Sequence, residues 1–250
     1  MRYFIELSYD GTEFHGWQIQ PNAISVQEII EKALSLLLKT NTNIVGAGRT
    51  DAGVHAKYIV AHFDTDCNFE SENLVYKLNS FLPKSIAIRN IFEVNTDAHA
   101  RFSATSRAYE YRIITNKNPF ETQTAYFLKN ELDIDIMNLA AKKMLNYTNF
   151  KCFSKSKTDV KTYNCELYYA FWEKQNDILV FKISANRFLR NMVRAIVGTL
   201  IEIGSNKLPI EAMDSIIASE NRSNAGYSVP AKGLYLTDVA YPKNINVING

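Results

Sequence analysis

The chain has 250 residues, 46% of them hydrophobic and 22% charged, with a formal net charge of +2. This size and balance fit one large or two ordinary globular domains and exclude a disordered, fibrous or strongly polyionic chain. No apolar run reaches the roughly 18 residues of a membrane span, and neither the three cysteines nor the four histidines show metal-ligand spacing, so a reducing, cytoplasmic setting without a zinc site is expected.

In chain order, MRYFIELSYD alternates apolar and polar residues, which predicts a strand over Arg2–Tyr9 rather than a signal peptide. Asp10–Asn22 is a loop with Gly11, Gly16 and Pro21. A helix starts at Ser25, where Ser25 and Glu28 can form a capping box. Val26, Ile29, Ile30, Ala33, Leu34 and Leu37 then recur at helical spacing. Strands near Asn43–Gly46 and Lys57–Asp64 follow. Next come a helix with Leu74, Val75, Leu78 and Phe81 inward, ending before Pro83, and a strand over Ile86–Val94.

The second half repeats this order. A strand at Arg107–Thr115 precedes a helix around Asp133–Leu145 and strands at Lys161–Trp172 and Ile178–Ala185. A helix over Phe188–Ile203, a short helix after Pro209 and a strand at Gly233–Ala240 complete it. The expected fold is therefore α+β: two ferredoxin-like β-α-β-β-α-β halves whose sheets meet around a central cleft suited to an active site. Residues 1–100 form the N-terminal half and 101–250 the C-terminal half, with the boundary within Asn95–Ser106.

The segment Gly46–Ala56, GAGRTDAGVHA, sets Arg49, Asp51 and His55 among small and apolar residues. It is not a phosphate loop, because it lacks the GxGxxG order, the lysine and the following helix. As a turn, Asp51 would accept backbone hydrogen bonds and Gly53 would take positive φ. As a site, Asp51 is a carboxylate on a stiff loop, with Arg49 pointing toward the same ligand and glycines allowing close approach. Nothing places a serine, a cysteine or a second acid beside His55, so it reads as structural.

A carboxylate in a water-poor pocket needs a cation to stay ionised. A helix running from Arg187 would set Arg187, Arg190, Asn191, Arg194 and Gly198 on one stripe, with Gly198 making room beside Arg194. A basic solvent face with an incidental glycine accounts for this segment equally well. Ser184–Arg194 contains three arginines and no acid, and Lys151–Lys161 contains four lysines against Asp159. Such patches on a near-neutral chain suit an anionic partner at a defined face. Tyr109 and Tyr111 in FSATSRAYEYRI share a strand face; they fit ordinary packing or a platform for a nucleobase. Trp17 has the same two readings.

Together these segments resemble the tRNA pseudouridine synthase A family. YDGTEFHGWQIQP with SVQ, GAGRTDAGVHA, HARFSATSRAYEYRI, FLRNMVRAIVGTLIEIG and PAKGLYLTDVAY occur in the family's order over nearly the whole chain. The resemblance implies Asp51 as the catalytic nucleophile, Arg194 as its ion-pair partner, and Tyr109 stacked on the base and available to help remove the C5 proton. It also implies a cytoplasmic homodimer acting on tRNA at positions 38–40 of the anticodon arm. Uridine isomerisation breaks N1–C1′, turns the base and joins C5 to C1′, so no metal, nicotinamide, flavin or ATP is required. Whether the aspartate adds to the base, attacks the sugar or promotes a glycal stays open.

Arg49 is the candidate for stabilising the extruded nucleotide, and Arg187, Arg190, Lys155 and Lys157 are candidates for RNA contacts. Two departures stand out. Lys57-Tyr58-Ile59 replaces a common Gly-Gln pair, and Lys161 replaces a common arginine, exchanging a forked donor for a point charge. The rival readings are a non-catalytic RNA binder and a glycosidase-like hydrolase. The second would generally use two carboxylates, and the motif offers one.

Overall fold

Burial on both faces of the first strand shapes the N-terminal part. Strand β1 (Arg2–Tyr9) buries Phe4, Ile5, Leu7 and Tyr9. In the computed structural model, which describes residues 1–156 and 160–245, the chain divides into two compact units. One is Met1–Thr105 together with the chain from Leu236 onward; the other is Ser106–Tyr235.

In the first unit, helix α1 (Val26–Leu38) turns Val26, Ile30, Ala33, Leu34 and Leu38 inward. Only half of the expected capping box forms: Ser25 Oγ accepts from the Glu28 amide at 3.2 Å, while the Glu28 carboxylate pairs with Lys32 at 2.5 Å instead. Strand β2 (Val45–Gly46) lies on β3 (His55–Asp64). Helix α2 (Ser71–Phe81) follows, capped by the Glu70 carboxylate, and then β4 (Ile86–Val94). Phe81, expected inside, is exposed, and the next residue, Leu82, is buried. Leu82 is extended, the conformation favoured before a proline, which swings it rather than Phe81 into the core.

The strands run β4–β1–β3, antiparallel at both joins, with β9 (Leu234–Ala240) next to β3. One sheet face gathers Phe4, Val60, Val94, Ala98 and Ala100, with Tyr58, Phe92, Tyr241 and Ile245 against them. Residues 240 and 241 are fastened here, since the Thr105 amide donates to Ala240 O at 2.8 Å and the Tyr241 hydroxyl to Ala100 O at 2.6 Å. His62, 5% exposed, accepts from the Ala100 amide through Nδ1 at 3.1 Å. Burial, with the Arg2 and His99 charges adding to it, pushes its pKa down to about 4.

In the second unit, β5 (Ser106–Ile114), β7 (Leu167–Gln175) and β8 (Ile178–Ala185) run in the order β5–β8–β7, antiparallel, with β6 (Tyr126–Phe127) parallel on β5. Helices α3 (Ile134–Lys143), α4 (Met192–Gly204) and α5 (Ala212–Ala218) complete it. The strand expected from Lys161 begins only at Leu167. Residues before it pair elsewhere: the Phe150 amide donates to Tyr163 O and the Cys165 amide to Thr148 O. The helix expected from Phe188 begins at Met192, because Asn191 takes the left-handed conformation, φ 67°, which asparagine tolerates better than most residues.

Every α4 residue except Arg194 and Glu202 is buried, so this is a core helix rather than one with a basic solvent face. Along it runs the segment 221–230. A Cβ at Gly198 would lie 1.8 Å from Tyr227 O, and one at Gly226 would lie 2.6 Å from the Thr199 nitrogen. Main chain therefore rests directly on main chain, secured by the Gly226 amide donating to Thr199 Oγ1 at 2.8 Å.

A histidine whose folded pKa lies below its unfolded value of about 6.5 contributes stability that is present above that pH and lost as pH falls toward the folded value. Replacing His62 with glutamine is expected to shrink the loss of stability between about pH 7 and about pH 4.5 by up to about 2 kcal/mol in urea melts. An undiminished loss would remove His62 as its source. Gly198→Ala gains roughly 1 kcal/mol of helix propensity but forces a methyl into a backbone carbonyl, an overpacking that costs about 1–3 kcal/mol. A net destabilisation of up to about 2 kcal/mol is expected by thermal melting; a more stable variant would show that the 221–230 segment yields easily.

Candidate active site

The loop carrying Asp51 is held by its own backbone. Gly53 has φ 76°, and the Val54 amide donates to Asp51 O at 3.1 Å, closing a turn directly after the aspartate. The glycine-rich loop Asp10–Asn22 lies against it. A Cβ at Gly11 would sit 2.0 Å from Val54 O, and one at Gly16, itself at φ 90°, would sit 2.4 Å from Thr50 O. Trp17 donates its amide to Thr50 O at 3.2 Å, and the Gly53 amide reaches Phe14 O at 3.2 Å. Below, the Tyr9 hydroxyl meets Thr50 Oγ1 at 2.8 Å in a buried contact.

His55 is 2% exposed, and its Nδ1 accepts from the Gly11 amide at 3.1 Å, so it ties the two loops together. Trp17 is buried and packs near Tyr9, at 6.2 Å between ring centroids. Both residues act as supports. Asp51 is half-buried and Arg49 exposed, on either side of the buried Thr50. The chain continues into β3 and not into a helix, consistent with the exclusion of a phosphate loop.

In the second unit, the two strand tyrosines part company. Tyr111 is fully buried, its hydroxyl donating to Pro230 O at 2.8 Å, and burial pushes its pKa well above the usual phenol range. It belongs to the core, so the expected paired platform reduces to Tyr109. Tyr109 is half-buried, with the Phe188 ring edge-on at 5.1 Å and 87°. Arg112 stacks over Tyr235 at 4.5 Å.

Arg187 and Arg190 precede α4 and do not share its stripe. Asn186 sets the path of this stretch: its amide donates to Glu166 O, its Oδ1 accepts from the Glu166 amide, and its carbonyl accepts from Arg107 Nη1 at 2.9 Å. The Lys155 amide donates to Arg190 O at 3.0 Å, bringing two of the expected RNA-contact residues together, both exposed. Lys157 lies outside the described residues. Cys165 and Cys152, both buried in this unit, are held protonated, with pKa values pushed up by burial to about 11 and about 12. Neither is poised as a nucleophile.

Arg194 is half-buried on α4. Its Nε donates to Val229 O at 2.7 Å, and the Val229 amide returns a bond to Arg194 O at 3.3 Å. The first of these ties the Nε edge of the guanidinium to residue 229, and the second ties the two main chains together. The sequence reading missed Ser228, Val229 and Arg222, which build this support, and the seating of Gly11 and Gly16. The only signal for the former was Gly226, a glycine in a polar stretch; the loop glycines were visible, but their partners in the aspartate loop were not.

Among the described residues, no three His, Cys, Asp or Glu side chains gather as a metal site would need. No helix among them is long and apolar enough to cross a membrane.

Comparison with known proteins agrees with the motifs. A family model described as tRNA pseudouridine synthase matches residues 7–103 and 140–242. A protein named tRNA pseudouridine synthase A from Parabacteroides distasonis is 51% identical over 245 residues, covering 98% of this chain and 97% of the relative. A protein of the same name from Bacteroides fragilis is 50% identical over 246 residues, covering 98% of each. One from Bacillus pumilus is 41% identical over 239 residues, covering 94% of this chain and 97% of the relative. With the aspartate loop and α4 inside the stretches the family model matches, and with relatives about half identical over 98% of the chain, the chain belongs to the tRNA pseudouridine synthase A family.

Proposed function

We propose that this tRNA pseudouridine synthase isomerises uridine to pseudouridine at positions 38, 39 and 40 of the anticodon stem-loop, with Asp51 as nucleophile. The observation that carries the reading is the uninterrupted GAGRTDAGVHA motif on a loop clamped at Gly11, Gly16, Thr50 and His55. A nucleophile gains from being held still, because a bound near-attack geometry replaces much of the entropy cost of meeting the substrate.

In this reading the target uridine leaves the helical stack, at a cost of a few kcal/mol, and Arg49 fills or steadies the vacated place. The N1–C1′ bond breaks, the base turns within the site, and C5 joins C1′. The C5 proton departs and N1 ends protonated, so mass is conserved. Tyr109 stacks on the base and is the candidate to assist removal of the C5 proton. Arg194 keeps the Asp51 carboxylate ionised and oriented. Lys155, Arg187 and Arg190 contact RNA phosphates, and Lys157 belongs to the same proposal from sequence. The enzyme works in the cytoplasm as a homodimer, and each half follows the ferredoxin-like β-α-β-β-α-β order.

The decisive experiment incubates a tRNA transcript with wild-type protein and with Asp51→Ala. Pseudouridine at positions 38–40 is expected from the wild type. The variant is expected to lose on the order of 10⁴-fold or more in single-turnover rate, with tRNA binding little changed. Equal, background-level product from both proteins would favour a binding module, and free uracil would favour a hydrolase. For the patch, converting Arg187, Arg190 and Lys155 to glutamine is expected to weaken tRNA binding. It should also flatten the salt dependence by about 0.7–0.9 in log–log slope per lost phosphate contact. An unchanged slope would take these residues out of the interface.

A further inference from the structure

The turn at Ser228–Val229 holds the Nε edge of Arg194. Arg194 Nε donates to Val229 O at 2.7 Å, so a shift of that carbonyl displaces the edge of the guanidinium bound to it. One residue earlier, Ser228 Oγ accepts two bonds, from Asn191 Nδ2 at 2.5 Å and from Arg222 Nη2 at 3.0 Å. Arg222 also sends Nη1 to Ala225 O at 3.2 Å and Gly226 O at 3.0 Å. A single guanidinium thus spans residues 225 to 228, the stretch that lies backbone-on-backbone against α4 at Gly198 and Thr199.

These acceptors are neutral: two peptide carbonyls and a hydroxyl. An arginine meeting a phosphate or a carboxylate would use its fork on two anionic oxygens; here the fork is spent on gathering a turn. A lysine has three donors on one point and cannot span the same acceptors.

We propose that Arg222 is a positioning residue for the isomerisation, acting on Arg194 through the Ser228–Val229 turn. The inference rests on the reading of Arg194 as the partner of Asp51. Releasing Arg222 frees Ser228, shifts the Val229 carbonyl and turns the guanidinium bound to it. A displacement of about 1 Å at a catalytic group can cost about 10²-fold in rate.

The test measures single-turnover rates with saturating enzyme on a tRNA transcript, together with tRNA Kd and thermal melts. Arg222→Ala, Arg222→Lys and Ser228→Ala are compared in the wild-type background and in Arg194→Lys. Arg222→Ala is expected to slow the rate about 10- to 100-fold with Kd little changed, and Arg222→Lys is expected not to restore it. In the Arg194→Lys background the same substitution should cost almost nothing further, the non-additivity of residues that act as a unit. Equal losses in both backgrounds would overturn the proposal, as would an unchanged rate or a loss confined to Kd and restored by lysine. If Arg222→Ala melts below the assay temperature, Ser228→Ala carries the same expectation by removing the shared acceptor. A full rate in Arg194→Lys alone is a different result: it removes Arg194 from the chemistry, and this proposal with it.

Discussion

The candidate catalytic groups depend on main chain packed against main chain with no side chain between. In the first unit, Gly11 and Gly16 put their Cα atoms where any Cβ would fall 2.0–2.4 Å from a carbonyl of the aspartate loop. In the second, Gly198 does the same against Tyr227 O. Side-chain packing has rotamers through which it can relax, whereas a peptide plane lying on a peptide plane has few. Loops are ordinarily the mobile part of a fold. Here two loops are given core-like rigidity at the points where charged side chains leave the backbone.

The second constraint is electrostatic. Helix α4 is buried on all sides except at Arg194 and Glu202. Arg194, half-buried on this helix, gives up part of its hydration, and a cation in that position needs partners of good geometry. The Val229 carbonyl supplies one such partner at 2.7 Å. Buried residues fill nearly every other position of this helix, so a half-buried arginine at 194 departs from its surroundings, and such conflicts between local preference and overall fold gather at functional sites.

Much of this was legible in sequence, and the limits have physical causes. Helical spacing and strand alternation gave α1 and β4 closely, because burial mainly on one face leaves a periodic trace, while β1 and β8, buried on both faces in part, carry short apolar runs. The start of α4 was misjudged by four residues. Hydrophobicity continues through Phe188 and Leu189, and nothing in the spacing shows that Asn191 is left-handed at φ 67°. That single dihedral removes Arg187 and Arg190 from the helix and dissolves the expected basic stripe. Tyr109 and Tyr111 share a strand face by parity, but parity cannot say that the Pro230 carbonyl waits for one of them. The aspartate loop was legible as a motif; its clamps were not, since Gly11 meets Val54 and Gly16 meets Thr50 across more than thirty residues of chain.

The departures from the family pattern fit the same division between support and chemistry. Tyr58, in the unusual Lys57-Tyr58-Ile59 stretch, packs on the cluster of Phe4, Val60 and Val94, and its hydroxyl donates to Glu6 Oε1 at 2.5 Å. Ile59, its neighbour on β3, is fully buried. The substitution is thus absorbed within the sheet, between strands β1 and β3, whose register is set over seven residue pairs. The aspartate loop meets β3 at its other end, through His55 and the Gly11 amide. A strand long enough to be altered at Tyr58 while staying anchored at His55 lets the sheet vary without moving the loop, which is why a change so close in sequence to Asp51 leaves the clamp intact.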